Sequence, residues 1–294
     1  MTPRLKFLSG LREFVRLTNR GRTPIYLDYP IDPVPRFGWG LPNHPEIVDQ
    51  LSRRRDCYES LLVRLKDSAE GLRAVPVERT IETGPCWLNH YVADLDAAML
   101  YALSALTTAQ TYLEIGSGNT TKFVRRGIED HGTGTRIVSI DPAPRANVDG
   151  CCDEVIRVPL ERVPLGVLDE LASGDVVAID GSHRCLQSSD VTVFFLEVLP
   201  RLPSGTLVFI HDIFLPCDYP ASWSDRHYSE QYLLAVLLMA DAGRRYEIVF
   251  PAHFSWVDES LRRSTDRFWA ELSIRGLSRV PPCGFWLRVR DGVG

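Results

Sequence analysis

The chain has 294 residues, 45% hydrophobic and 24% charged, with 33 basic against 38 acidic side chains and a formal net charge of −5. That balance fits one large α/β domain with extensions and excludes nucleic-acid binding through overall charge. No run of about 18 apolar residues is present, so no membrane span is expected, and the N-terminus lacks the continuous apolar core of a signal peptide.

The seven cysteines, at 57, 86, 151, 152, 185, 217 and 283, form no CxxC pair, so reduced thiols in a cytoplasmic protein are expected. The first 22 residues are locally basic (Arg4, Lys6, Arg12, Arg16, Arg20, Arg22) and read as a solvated or subunit-contacting arm. Residues 24–45 are rich in Pro, Gly and aromatics and read as an extended segment laid over a surface. Arm and segment could wrap this subunit or a partner subunit, which leaves a homo-oligomer open.

His44-Pro45 opens a helix to about Leu72, with an apolar stripe of Ile47, Val48, Leu51, Tyr58, Leu61, Leu62 and Leu65. A second helix begins near Asp94 or Asp96 and carries Leu95, Met99, Leu100 and Leu103. Residues 1–85 thus read as an N-terminal helical extension ahead of a main domain over 86–294.

From residue 111 the pattern alternates. Strands are predicted at 111–115, 136–140, 154–158, 175–180, 205–211, 246–250 and 285–290. Helices are predicted at 120–131, 164–172, 188–201, 228–242 and 258–273. Val176–Ile179 and Leu207–Ile210 are continuous apolar runs, the pattern of central strands covered on both faces. The alternation predicts an α/β, doubly wound, Rossmann-like sheet of about seven strands, mostly parallel with the last strand antiparallel. Such sheets bind ligands at the carboxyl ends of their strands.

The first strand runs into Glu114-Ile115-Gly116-Ser117-Gly118, and a helix follows from Asn119 or Thr120. A glycine turn lets backbone N–H groups approach a ligand, and the helix start adds partial positive charge. The second strand ends in Asp141, suited to accept both ribose hydroxyls of a nucleoside. The fourth ends in Asp180-Gly181-Ser182-His183 and the fifth in His211-Asp212. Asp and His suit general-base work or divalent-metal binding. Beyond them, Tyr219, Trp223 and the stretch His227–Tyr232 read either as a substrate pocket or lid or as loop packing.

A full dinucleotide fingerprint would need glycine at 121, where Thr121 stands. The E-x-G-x-G pattern with Asp141 resembles the class I S-adenosylmethionine-dependent methyltransferases. VVAIDGSH (176–183), LEVLPRLPSGTLVFIHD (196–212) and IFLPCDYP (213–220) are similar to their methyltransferase 24 type, over about residues 86–250. The resemblance implies that Gly116, Ser117 and Gly118 pass under the methionine part of the cofactor, with Glu114 near its amino end. It implies that Asp141 holds the ribose hydroxyls, that Pro159-Leu160-Glu161 flank the adenine, and that Asp180 lies beside the transferring methyl. Related metal-dependent enzymes place acids where Asp180 and Asp212 stand, which makes these two the candidate Mg²⁺ ligands; His211 departs from that pattern.

The expected activity is O-methylation of a small-molecule acceptor. In one route His183 or His211 takes the hydroxyl proton, oriented by Asp180 or Asp212. In the other, Asp180 and Asp212 hold Mg²⁺. The competing readings are an NAD-dependent oxidoreductase, against which Thr121 and Glu114 count, and a non-catalytic cofactor-binding protein.

Overall fold

The computed structural model describes residues 29, 31–277 and 279–291. The basic arm, residues 1–22, lies outside the described residues. Residues 35–294 form one compact unit, which carries the whole sheet.

Among the described residues seven strands are present: β1 (Thr111–Ile115), β2 (Arg136–Ile140), β3 (Glu154–Ile156), β4 (Val176–Ile179), β5 (Leu207–Ile210), β6 (Tyr246–Pro251) and β7 (Phe285–Val289). They form one sheet in the order β3-β2-β1-β4-β5-β7-β6. β1 to β5 pair in parallel, and β7 runs antiparallel to both β5 and β6. This is the Rossmann-like sheet that the alternation predicts. β4 and β5 are buried at every position, which accounts for their unbroken apolar runs.

Helix Asn119–His131 leaves the glycine turn and closes at Gly132, whose φ of 63° is the left-handed end that glycine tolerates. It crosses helix Asp94–Leu106 so closely that a Cβ on Gly127 would lie 1.9 Å from the Tyr101 carbonyl oxygen. The crossing keeps helix Asp94–Leu106 buried from Asp94 through Ser104. Tyr101 adds an O–H donated to Asp130 at 2.5 Å.

Two predicted helices are broken into shorter pieces and a third is reduced to a 3₁₀ turn. The one from Pro45 is divided into Pro45–Ser52, Arg55–Arg64, a 3₁₀ turn Leu65–Ser68 and Ala69–Ala74. Residues 188–201 form Asp190–Val193, then a π-helical turn Phe194–Val198, then Leu199–Arg201. Pro200 has no N–H to donate and its ring crowds the carbonyl four residues back, so the chain widens ahead of it. Residues 164–172 contain only the 3₁₀ turn Leu165–Glu170, penned between Pro164 and the Gly174 turn. The predicted helix 258–273 is one helix, Glu259–Leu272, capped by the Asp258 side chain accepting from the Leu261 N–H, and a short helix Ala252–Val257 precedes it. Among the described residues, no helix is long and apolar enough to cross a membrane.

Candidate active site

Parallel pairing brings four strand ends level, with Ile115 opposite both Ile140 and Ile179, and Ile179 opposite Ile210. The next residues, Gly116, Asp141, Asp180 and His211, therefore stand in one row. Their backbone bonds continue the ladder: Gly116 N–H to Ile140 O (2.9 Å), Asp180 N–H to Ile115 O (2.8 Å) and His211 N–H to Ile179 O (3.0 Å). A cavity of about 980 Å³ opens over this row and is lined by all four. The order reverses between β1 and β4, the place where an open α/β sheet leaves a crevice.

At Gly116 φ is +80°, and a Cβ would meet the Asp180 carbonyl oxygen at 2.1 Å, so both backbone and packing demand glycine. Gly118 is different. Its φ of −171° is extended backbone, and a Cβ there would meet nothing within 4 Å. Gly118 lines the cavity, and neither backbone nor protein packing demands a glycine there. Asp141 accepts the Ser117 N–H (2.9 Å) and the Ala143 N–H (2.8 Å), one on each carboxylate oxygen. Each oxygen keeps a second lone pair for a ligand hydroxyl.

Glu114 does not line the cavity. It is fully buried and accepts hydroxyls from Tyr112 (3.1 Å), Thr120 (2.6 Å) and Thr121. Burial pushes its carboxyl up to about 7, while the threonine hydroxyls oppose that rise. Thr121 also accepts the Gly118 N–H at 3.0 Å, so it ties the turn to Glu114. That bond is the local reason for a threonine at 121. Glu114 thus braces the turn from behind, and direct contact with a ligand's amino end, which the resemblance implies, is not its arrangement in this structure.

Across the row, two imidazoles lie between two carboxylates. His183 Nε2 is 3.3 Å from Asp180 and 3.4 Å from Asp212; His211 Nδ1 is 3.3 Å from Asp180 and 3.4 Å from Asp212. Burial works against a charged ring at His183, yet the Asp212 charge and the bonds to Asp180 and Glu230 raise it well above its ordinary value. Burial opposes the charge on His211 too; nearby Cys283 and the two aspartates outweigh it. Burial also works against ionised Asp180, and the two rings hold its carboxyl well below the carboxylate range. His183 and Asp212 both have left-handed φ, at 59° and 57°, a conformation costing of order 1–3 kcal/mol for such residues. The surroundings that hold them there are long-range. Glu230 Oε2 bonds His183 Nδ1 at 2.9 Å, and the Cys283 thiol lies 3.4 Å from Asp212 and 3.7 Å from His211. Asp96, on helix Asp94–Leu106, fixes Cys283 and Gly284 by accepting both their N–H groups (2.7 and 3.0 Å). Asp190 anchors the loop after β4 through Ser182 N–H (2.7 Å) and Oγ (2.5 Å). The sequence pattern does not single out Glu230, Asp96, Cys283 or Asp190.

Among the aromatics after β5, Trp223 and Tyr228 line the cavity, and the Tyr228 ring lies 4.6 Å from that of His183. The Arg226 guanidinium sits 3.7 Å over the Trp223 ring. Tyr219 packs instead in a separate buried cluster with Phe214, Cys217 and Cys283.

A glycine turn with an acid at the next strand end thus faces ionisable groups on the far side of the switch point. Residues 113–213 match the model of the methyltransferase domain of the methyltransferase 24 type, and the chain carries that domain. No curated protein matches the chain in sequence. Among solved structures it is similar to the O-methyltransferase from Bacillus cereus in complex with SAH, at 14% identity and TM-score 0.36, over 84% of this chain and 96% of that one. It is similar to the plantazolicin methyltransferase BpumL in complex with SAH, at 14% identity and TM-score 0.37, over 81% and 99%. It is also similar to the SAH-bound Podospora anserina methyltransferase PaMTH1, at 16% identity and TM-score 0.34, over 87% and 100%. Likenesses of this degree carry no argument about substrate.

Proposed function

We propose that the chain methylates a hydroxyl oxygen of a small molecule, with the acceptor lying against Asp180, His183, His211 and Asp212. One observation carries this reading: Gly116 packs so tightly on the Asp180 carbonyl that a Cβ would sit 2.1 Å from it, so the cofactor turn and the acid–histidine cluster abut. Residues 86–294 form the catalytic domain in this reading, and 1–85 extend it. The helices over 45–74 rest on it through Ile47, Leu51, Tyr58, Leu62, Leu65 and Leu72, all in the common core. Free thiols at all seven cysteines fit a reducing, cytoplasmic setting.

S-adenosylmethionine supplies a methyl group on a positively charged sulfur, which leaves without acid assistance. The chain's own part is to hold and to deprotonate. Ser117 and Gly118 present the turn and Asp141 takes the ribose hydroxyls, while Glu114 acts from behind through Thr120 and Thr121. Transfer needs the acceptor oxygen roughly 3 Å from the methyl carbon and in line with the breaking bond. His183 Nε2 or His211 Nδ1 receives the hydroxyl proton, and Asp180 and Asp212 stabilise the resulting imidazolium. The same carboxylates make the neutral ring a minority form near neutral pH, so turnover by this route climbs as the pH rises.

The test is methyl transfer from labelled S-adenosylmethionine to a panel of hydroxylated small molecules. His183→Ala and His211→Ala should each lower turnover by roughly 10²–10⁴-fold, the range of a lost general base, with SAH affinity within a few-fold of wild type. Full turnover in both variants would sink the histidine route.

A second reading has a specific observation behind it. Ligand atoms of Asp180, His183 and Asp212 lie within 4.8 Å of one another, and Glu230 on Nδ1 leaves Nε2 as the ligand nitrogen. The set fits a divalent ion, and its imidazole suits a transition metal better than Mg²⁺, which prefers oxygen. Such an ion would lower the pKa of a bound hydroxyl. Turnover abolished by a chelator and restored by added metal would favour this reading over the first.

A further inference from the structure

The segment between β5 and helix Glu230–Asp241 gives Trp223, Arg226 and Tyr228 to the cavity wall. The Trp223 indole is braced from the protein side, with the rings of Phe214 and Tyr219 at 5.1 and 6.5 Å. On it lies the Arg226 guanidinium, 3.7 Å from the ring centroid. Stacking uses the flat face of a guanidinium and leaves its N–H groups, which lie in the plane, free to bond. Among the described residues those of Arg226 make no hydrogen bond and no ion pair. The acids of the cavity are engaged elsewhere. Asp180 and Asp212 face the two imidazoles, Asp190 holds Ser182, and Asp141 holds the glycine turn. Glu161 follows β3 at the other end of the strand row, and Glu82 lies beside Lys122. The fork is also fixed relative to His183. Arg184 donates from Nε to the Arg226 carbonyl (2.9 Å) and from Nη1 to the Ser182 carbonyl (3.2 Å). The Ser229 N–H donates to the His183 carbonyl (2.9 Å), and the Cys185 N–H to Ser229 Oγ (2.8 Å). These bonds tie the turn that carries Arg226 to the loop that carries His183. The Tyr228 ring stands between them, 4.6 Å from the His183 ring and 5.6 Å from the Arg226 guanidinium. Two steps this short place both groups within reach of one small molecule. A guanidinium held by stacking, with its donors open to a cavity, is preorganised for an oxyanion.

We propose that Arg226 is the anion-binding end of the acceptor site, so that the methyl acceptor is a small hydroxylated molecule that also carries a carboxylate or a phosphate ester. The inference deepens the methyl-transfer reading and rests on it. Titration calorimetry on the full chain saturated with S-adenosylhomocysteine (SAH), which occupies the cofactor end, tests it with matched probes. These are 3- and 4-hydroxybenzoate, the two corresponding hydroxybenzamides, and 4-hydroxyphenyl phosphate. The wild-type chain should bind at least one anionic probe about 10-fold more tightly than the amides. That factor is the low end for a hydrogen-bonded charge, because the site is open to solvent. Arg226→Ala, at an exposed position that does not endanger folding, should remove this preference and change amide binding by less than about 3-fold. Tighter binding of the phosphate ester than of the benzoates would assign the group as phosphate, and the reverse as carboxylate. Equal binding of acids and amides, a preference that survives in Arg226→Ala, or binding of none of the probes would overturn the assignment. Failure of SAH itself to bind would instead strike the cofactor reading. The comparison of acid with amide needs no cofactor and would still decide the role of Arg226.

Discussion

The two ends of the strand-tip row are built from different materials. Around β1 and β2 the site is mostly backbone: a glycine turn, a helix start, and one aspartate whose oxygens are steadied by main-chain N–H groups. Around β4 and β5 it is side chains: two imidazoles, two carboxylates and a ring of buried groups behind them. A backbone-built half can hold a ligand in one pose but has little with which to move a proton. A side-chain half can move protons but needs outside support to keep its groups in place. On the proposed function the contrast amounts to a division of labour, binding on one side of the switch point and chemistry on the other, and it can be broken experimentally at either end.

The largest effect is expected at the seam. Gly116→Ala forces a methyl group into the Asp180 carbonyl and strains a φ of +80°, so the turn and the β4 end must separate. SAH binding should fall by more than about 100-fold and turnover should vanish, because both halves lose register. Gly118→Ala is the control, since its Cβ meets no protein atom. It should leave the fold untouched, as judged by the melting temperature, and lower only SAH affinity. Equal melting temperatures for wild type and Gly116→Ala would refute the seam.

Next in size is a crossed pair of substitutions. Asp180→Asn should lower turnover by roughly 10²–10⁴-fold while SAH affinity stays within a few-fold of wild type. Asp141→Asn should do the reverse, weakening SAH by about 10-fold with a smaller loss in the rate at saturating cofactor. If both variants lost binding and rate together, the two ends would not be separable.

The same contrast explains what can be read from the sequence. The backbone-built half is local: strand, glycines and helix start lie within Tyr112–Asn119, and Asp141 follows at the next strand end. Its residues are legible because spacing alone positions them. The inner ring of the other half, Asp180, His183, His211 and Asp212, is legible for the same reason, each sitting just past an apolar strand. Its support is not. Glu230 reaches His183 across 47 residues, and Asp96 holds Cys283 across 187. No periodicity announces such contacts; a buried carboxylate in an apolar helix is the only hint, and in the sequence Asp96 reads merely as a helix start. Glu114 misleads for the opposite reason. The acid beside a glycine turn suggests a ligand contact, whereas Thr120 and Thr121, at the start of the helix, absorb it.

A third effect separates the two halves by pH. Both histidines bind protons more tightly in the folded chain than an ordinary histidine does. Turnover by the histidine route should therefore rise with pH above neutrality and level off only where the rings lose their protons. SAH binding should not follow that limb, because neither ring belongs to the binding half. A turnover profile flat from about pH 6 to 9 would place the proton acceptor elsewhere.

The smallest effect lies in stability and falls on the binding half. Glu114 titrates near 4.5 when exposed and near 7 in the fold, where burial disfavours its charge. Between those values the folded chain holds a proton that the unfolded chain has released. Its contribution is therefore fully present below pH 4.5 and is lost as the pH rises through 7. The loss is of order 3 kcal/mol, each tenfold change in proton affinity being worth about 1.4 kcal/mol. Glu114→Gln keeps the volume and can still bond the hydroxyls of Thr120 and Thr121, but it has no proton to lose. Its melting temperature relative to wild type should thus increase steadily from about pH 5 to about pH 8. A constant difference over that range would mean that Glu114 is already ionised at the acid end, with the hydroxyls outweighing burial. The backbone-built half would then contain a true anion behind the turn, and its electrostatics would resemble those of the β4–β5 end more closely than the contrast allows.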